Sequence, residues 1–280
     1  MRNAVNFTAV AVLVGFAVPT AAEAAIINGG FQDGLTGWEA IGDYRVETSS
    51  FGNGTPEGTS QVFLSTAFNE VVDVNENGNE IRGGNAVPVT FVSGFNNLEG
   101  FLGLSTFFGD KSLDDLAYSE PIEGSAIKQT FRASAGEKLS FSWNFLTEES
   151  TEQAARDDST YPEFNDFAFV TIQSDYSSEL FSLADTISTF SDSATSFGKE
   201  TGFRTFSYTI PTEGDYTLGI GVVDVGEPTR ISGLLIDNAV AVPETDSTLG
   251  TLGMLFLGGC WTVAVHKRRQ KRRCPIARNH

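Results

Sequence analysis

Between residues 25 and 241 this 280-residue chain has no cysteine and no histidine; Cys260, Cys274, His266 and His280 all lie close to the C-terminus. No disulfide can staple the long central stretch, so its own core has to hold it. Without imidazole or thiol, that stretch cannot build a Ser-His-Asp or Cys-His relay, and zinc sites made of those side chains are excluded. It also lacks a Gly-Lys-Ser/Thr phosphate loop. Only carboxylates are left for acid–base work. The candidates are Glu148, Glu149, Asp157, Asp158, Glu163 and Asp166, a set whose plain alternative is a solvated acidic loop.

Positive charge is scarce as well. Residues 26–243 carry 10 Lys+Arg against 33 Asp+Glu, a net charge of −23, while the whole chain stands at −18. A surface this acidic repels nucleic acid and anionic lipid, attracts cations and keeps an exported protein soluble. Charged residues make up only 19% of the chain, whereas glycine reaches 29 and phenylalanine 23. That balance favours strands and turns over helices.

Long apolar runs occur only near the two ends. Ala4 to Val18 follows a short positive start and precedes Ala22-Glu23-Ala24, a small-x-small cleavage pattern; residues 1–24 read as a secretory signal peptide. Leu249 to Val265 carries no charge. As a helix it would span roughly 25 Å at about 1.5 Å per residue, enough for a bilayer core. The basic cluster Lys267, Arg268, Arg269, Lys271, Arg272 and Arg273 follows. By the positive-inside rule it stays cytoplasmic, with residues 274–280, and leaves the central stretch outside.

What lies between reads as a series of strands. Leu139, Phe141, Trp143 and Phe145 alternate with Ser140, Ser142 and Asn144, the period of a half-buried strand. Further strands are expected at 44–48, 61–65, 126–132, 166–173, 179–183, 203–210, 216–225 and 231–240, with a turn at 211–215. Residues 68–124 form a polar, Gly/Asn-rich elaboration with short helices at 97–104 and 112–117, the second begun by Ser112 with Asp115 three residues on. The fold expected for 25–241 is an all-β antiparallel sandwich carrying this insertion.

Two resemblances add to that reading. Val242, Pro243 and Glu244, then the apolar run and the Arg-rich end, resemble the PEP-CTERM sorting tail of bacterial envelope proteins, with Thr245 in place of that motif's second proline. The resemblance covers residues 242–273. It implies membrane insertion, an exosortase-type processing enzyme as partner, and delivery to the cell envelope or extracellular matrix. An uncut anchor and a sortase-type tail are the alternatives. The opening Asn28-Gly-Gly-Phe-Gln32 with Gly37-Trp38 resembles the first strand and turn of jelly-roll carbohydrate-binding modules. It implies a jelly-roll-like sandwich, an extracellular polysaccharide as ligand, and a structural calcium shared between the terminal strands, with Asp33 and Asp237 as ligands. Gln32 stands where those domains often have a glutamate.

A second calcium candidate comes from the residues alone. Asp73, Asn75 and Asn77, with Gly78 for the sharp turn, match the first half of a D-x-N-x-N-G loop, but its twelfth position is Gly84 rather than a bidentate glutamate. The sequence thus describes a non-enzymatic exported protein that a C-terminal signal sorts to the envelope. Its outer domain serves as a surface or adhesive component or, alternatively, as a polysaccharide-binding module; a carboxylate-dependent glycoside hydrolase ranks lowest.

Overall fold

The computed structural model describes residues 26–74, 80–90, 96–104, 111–117, 119–149, 164–226 and 229–243. The signal-peptide segment and everything beyond Pro243, including Glu244, the apolar run and the basic cluster, lie outside the described residues. Among those described, no helix is long and apolar enough to cross a membrane. The first compact unit of the chain ends at Val242.

Among the described residues fifteen strands follow one another: β1 (Glu39–Ile41), β2 (Asp43–Thr48), β3 (Ser60–Ser65), β4 (Phe68–Val74), β5 (Glu80–Asn85), β6 (Val87–Pro88), β7 (Pro121–Ala133), β8 (Glu137–Thr147), β9 (Phe167–Ser174), β10 (Ser178–Asp185), β11 (Ser191–Asp192), β12 (Lys199–Glu200), β13 (Arg204–Thr209), β14 (Gly214–Val225) and β15 (Ser232–Pro243). One sheet has the order β1-β7-β14-β9-β10, with β6 beside β7. The other runs β11-β12-β8-β15-β3-β2, with β13 also paired to β8, and β4-β5 is a separate hairpin. The pairings are antiparallel. The chain passes repeatedly between the sheets: β7, β9, β10 and β14 belong to the first, β8, β13 and β15 to the second. The expected all-β antiparallel two-sheet sandwich is what forms.

Period-two alternation explains the core. Leu139, Phe141, Trp143 and Phe145 of β8 face Ile127 and Phe131 of β7, Leu218, Ile220 and Val222 of β14, and Val170 and Ile172 of β9 in one buried cluster. Burying such side chains stabilises by about 1.5–3 kcal/mol each. The turn before β14 is locked by Tyr216, whose hydroxyl donates to the Thr212 carbonyl at 2.8 Å while its ring is buried.

Two local expectations meet different outcomes. The second short helix begins as its sequence suggests: Ser112 and Asp115 form a reciprocal capping box on a 3-10 turn, Leu113–Asp115. The opening segment is not a strand. Residues 27–37 are a chain of turns leading to β1. The reason is backbone conformation, because Asn28, Phe31, Gly34 and Gly37 all have positive φ (52°, 54°, 64° and 85°), which no strand accommodates. Phe31 and Trp38 still plug the core, their ring centroids 5.4 Å apart.

The insertion has a definite place. Helix α1 (Leu98–Leu102), capped by Asn97, lays Leu98 and Leu102 with Leu104, Leu113 and Val89 on Ala126, Phe167, Phe169 and Val223. These last residues form the outer face of the first sheet, opposite the core. Glu99 joins the two helical pieces, its Oε1 accepting from the Ser112 hydroxyl at 2.8 Å and the Leu113 N–H at 2.9 Å. The described residues of the insertion therefore cover part of an outer sheet face and leave the rest open.

Candidate functional site

The open part of that face holds a groove of about 210 Å³, lined by Thr130, Gln173, Ser174, Asp175, Asp215 and Thr217. Sheet register builds its floor. Thr130 of β7 lies opposite Thr217 of β14, and Thr217 lies opposite Gln173 of β9, so three polar side chains form one row across three strands. Their neighbours Phe131, Leu218 and Ile172 point the other way, into the core. The two threonine hydroxyls are 2.8 Å apart and share a hydrogen bond. In the adjacent row Arg132 lies opposite Asp215.

Two elements rise beside the floor. Gly103, the left-handed cap that ends α1, lies against Gln173. The turn between β9 and β10 supplies Ser174 and Asp175, and its next residue, Tyr176, is 81% exposed. The Ser174 hydroxyl shapes that turn by accepting from the N–H groups of Tyr176 (3.3 Å) and Ser177 (3.2 Å). The groove thus combines two hydroxyl-bearing threonines, an amide and two carboxylates, and an exposed aromatic residue follows Asp175 in the turn.

The carboxylates flagged in the sequence behave differently. Asp166 is 1% exposed and Glu149 8%. Asp166 accepts from the Val225 N–H (3.0 Å) and the Ser232 hydroxyl (2.6 Å). Burial, opposed by those two hydrogen bonds and reinforced by the nearby charges of Glu149 and Glu123, pushes the Asp166 carboxyl up to about 7. The structure does bring Glu149 and Asp166 together, but both are buried rather than set in an open cleft. Asp157, Asp158 and Glu163 lie outside the described residues.

Asp237 sits where β15 meets the opening turns. Its Oδ2 accepts from the Glu57 N–H at 2.8 Å and its Oδ1 from the Asn238 N–H at 2.7 Å. Gly30 faces both the Glu57 and the Asp237 carboxylates. Burial lifts the Asp237 carboxyl to about 6 against those two N–H bonds, and Glu57's charge adds to the rise. Gln32 donates to the Gly30 carbonyl at 2.6 Å and accepts from the Thr59 N–H and hydroxyl. Asp33 is exposed in the turn and bonds through its backbone, its N–H donating to Asn28 Oδ1. Glu57 is the carboxylate beside Asp237, and a lone glutamate in a Gly-rich loop gave no signal of it. Oxygen donors alone are what calcium takes, so the Asp237 and Glu57 carboxylates are of the right chemical type for that ion. Among the described residues no group of three or more Asp, Glu, His or Cys converges on one metal position. Of the other calcium candidate, Asp73 lies in β4 of the β4-β5 hairpin, and Asn75 and Asn77 lie outside the described residues.

No family model and no curated protein matches the chain. Among solved structures it is similar to a CBM61 carbohydrate-binding module solved with β-1,4-galactotriose, at 11% identity over 80% of this chain and 100% of that one, with a TM-score of 0.38. A xylan-binding domain of CBM22 is 11% identical over 80% of this chain and 96% of its own, with a TM-score of 0.30. The enzymatically active domain of a bacteriophage CBA120 tailspike is 8% identical over 78% of this chain and 21% of its own, with a TM-score of 0.35. All three likenesses are loose, and the functional reading rests on this chain's own residues.

Proposed function

We propose that this is an exported, non-enzymatic protein whose jelly-roll-like domain binds an extracellular polysaccharide and whose C-terminal segment directs it to the cell envelope. The observation that carries the binding half is the groove on the first sheet. Thr130, Thr217 and Gln173 offer donors and acceptors in a row, and Asp175 and Asp215 offer acceptors for adjacent hydroxyls. Tyr176 supplies an exposed ring with an apolar body for a pyranose face. The groove is smaller than the roughly 300–1,000 Å³ of a drug-sized pocket and is open to solvent, a shape suited to a chain lying across it.

The check is titration of the full chain, purified in mild detergent, against a panel of plant and bacterial polysaccharides. At least one should bind. Tyr176→Ala and Thr217→Val should each weaken it about 5- to 30-fold, in line with roughly 1–2 kcal/mol for a lost ring or hydrogen bond. Undiminished binding by both variants would move the site elsewhere.

A structural calcium held by the Asp237 and Glu57 carboxylates belongs to the same reading. It would tie the loop between β2 and β3 to β15, beside the opening turns, which the Ala239 N–H joins to β15 by donating to the Gly29 carbonyl at 3.0 Å. Calcium should raise the melting temperature over that of the chelated protein, and Asp237→Asn should abolish the rise; identical melting in both conditions removes the ion from the account.

A further inference from the structure

We infer that the groove selects uncharged glycans and rejects polyuronates. This rests on the polysaccharide-binding reading and adds the charge class of the ligand.

Sign decides it. Two of the six lining residues, Asp175 and Asp215, are acidic, and among the described lining residues none is basic. The two cations that flank Thr130 on the outward face of β7 are already engaged. Arg132 Nη2 lies 2.7 Å from Glu213 and its Nη1 3.4 Å from Asp215, and both carboxylates hold the guanidinium further into its charged form. Lys128 donates to the Phe101 carbonyl at 2.9 Å, sits 4.4 Å above the Phe101 ring and lies 3.6 Å from Glu39. A uronate carboxylate entering the groove would meet two like charges and, among the described lining residues and their neighbours on β7, no uncommitted counter-charge. The −23 carried by residues 26–243 extends the repulsion beyond contact range.

The same carboxylates suit a neutral sugar. A hexose or pentose presents neighbouring hydroxyls, each a donor, and an ionised carboxylate accepts from both in charge-assisted hydrogen bonds. The floor adds Thr130, Thr217 and the Gln173 amide, which can donate or accept as the sugar requires. Discrimination of this kind sets a binding preference by penalising the wrong ligand as much as by rewarding the right one.

Affinities of the full chain in mild detergent should be compared for neutral glycans (galactan, arabinoxylan, mixed-linkage glucan) and for polygalacturonate and alginate, at low and at physiological salt. Chitosan is unsuitable, since a polycation adheres to any surface this acidic. The best neutral glycan should bind at least tenfold tighter than either polyuronate. The ratio should shrink as salt shortens the Debye length from about 30 Å at 0.01 M to about 8 Å at 0.15 M. Asp175→Asn together with Asp215→Asn keeps size and hydrogen-bonding capacity while removing both charges; it should narrow the ratio at least fivefold. Equal binding of polyuronate and neutral glycan, or a ratio that the double variant leaves unchanged, overturns the charge selection and leaves glycan binding standing. Failure of every glycan to bind overturns both.

Discussion

Asp166 shows how much one buried side chain can impose. Its carboxyl lies between Val225 and Ser232, close to Glu149 and Glu123, with Arg230 3.6 Å from Glu149. Its titration in the fold is pushed up to about 7, whereas an unfolded aspartate titrates near 3.9. The folded protein therefore binds that proton more tightly than the unfolded chain. The stability so contributed is complete below about pH 4 and is lost as pH rises through 7. Asp237, raised to about 6, adds a slope of the same sign at lower pH. Asp166→Asn keeps an acceptor for Val225 and removes the charge. In urea unfolding at pH 5, 6 and 8, the wild type should lose stability between pH 6 and 8. The variant should lose much less and at pH 8 should exceed the wild type by roughly 1–3 kcal/mol. Parallel curves for the two proteins would show that Asp166 is not the titrating group. Sequence placed this residue among carboxylates with catalytic potential; burial, which composition cannot report, gives it a structural role instead.

At the scale of elements, nine of the sandwich strands were legible, whereas β1, the β4-β5 hairpin, β6, β11, β12 and the partners on the outer face were not. The alternation of Leu139, Phe141, Trp143 and Phe145 marks β8 because one buried face and period two leave little choice. The Ser112 cap is equally local. Nothing local announces that α1 should lie on the outside of the first sheet. On β14 the outward positions are Thr217, Gly219, Gly221 and Val223, and glycine gives no hydrophobic signal. The missing side chain at Gly219 is what admits Leu102 so close to the sheet. The groove is hidden for a related reason: Thr130, Thr217 and Gln173 stand far apart in sequence and become a row only through the register of β7, β14 and β9. The insertion's hold on the sheet can be measured. Leu98 is fully buried against it, and Leu98→Ala should cost about 2–4 kcal/mol by transfer and cavity together. Chemical denaturation reads that cost, and a loss under 1 kcal/mol would mean that α1 packs only loosely there.

At the scale of the whole molecule, a domain rich in carboxylates is joined to a segment rich in arginine. The ten basic and 33 acidic residues between 26 and 243 contrast with the run from Lys267 to Arg273, where six of seven residues are basic. On the proposed reading such asymmetry would follow from location: the acidic part would suit an exported surface, and the basic part would arrest transfer of an apolar segment and stay behind. The motif Val242-Pro243-Glu244 begins where the last strand ends. Val242 and Pro243 close β15 with both side chains exposed, so the motif's first two residues are held open rather than tucked into the core. Proline suits that position, since it cannot donate to a further ladder hydrogen bond and so stops the strand. If the tail is a sorting signal, protein extracted from the envelope should carry a C-terminus, or a new attachment, within a few residues of Glu244 and should lack Lys267 to Arg273. Replacing the six basic residues of that cluster by glutamine should remove the stop to transfer and let unprocessed chain escape to the medium. Mass spectrometry of the C-terminal peptide decides between the tails: an intact Arg273 on all envelope-bound protein identifies a permanent anchor, whereas loss of the cluster from the wild type, with unprocessed chain in the medium for the glutamine variant, identifies processing.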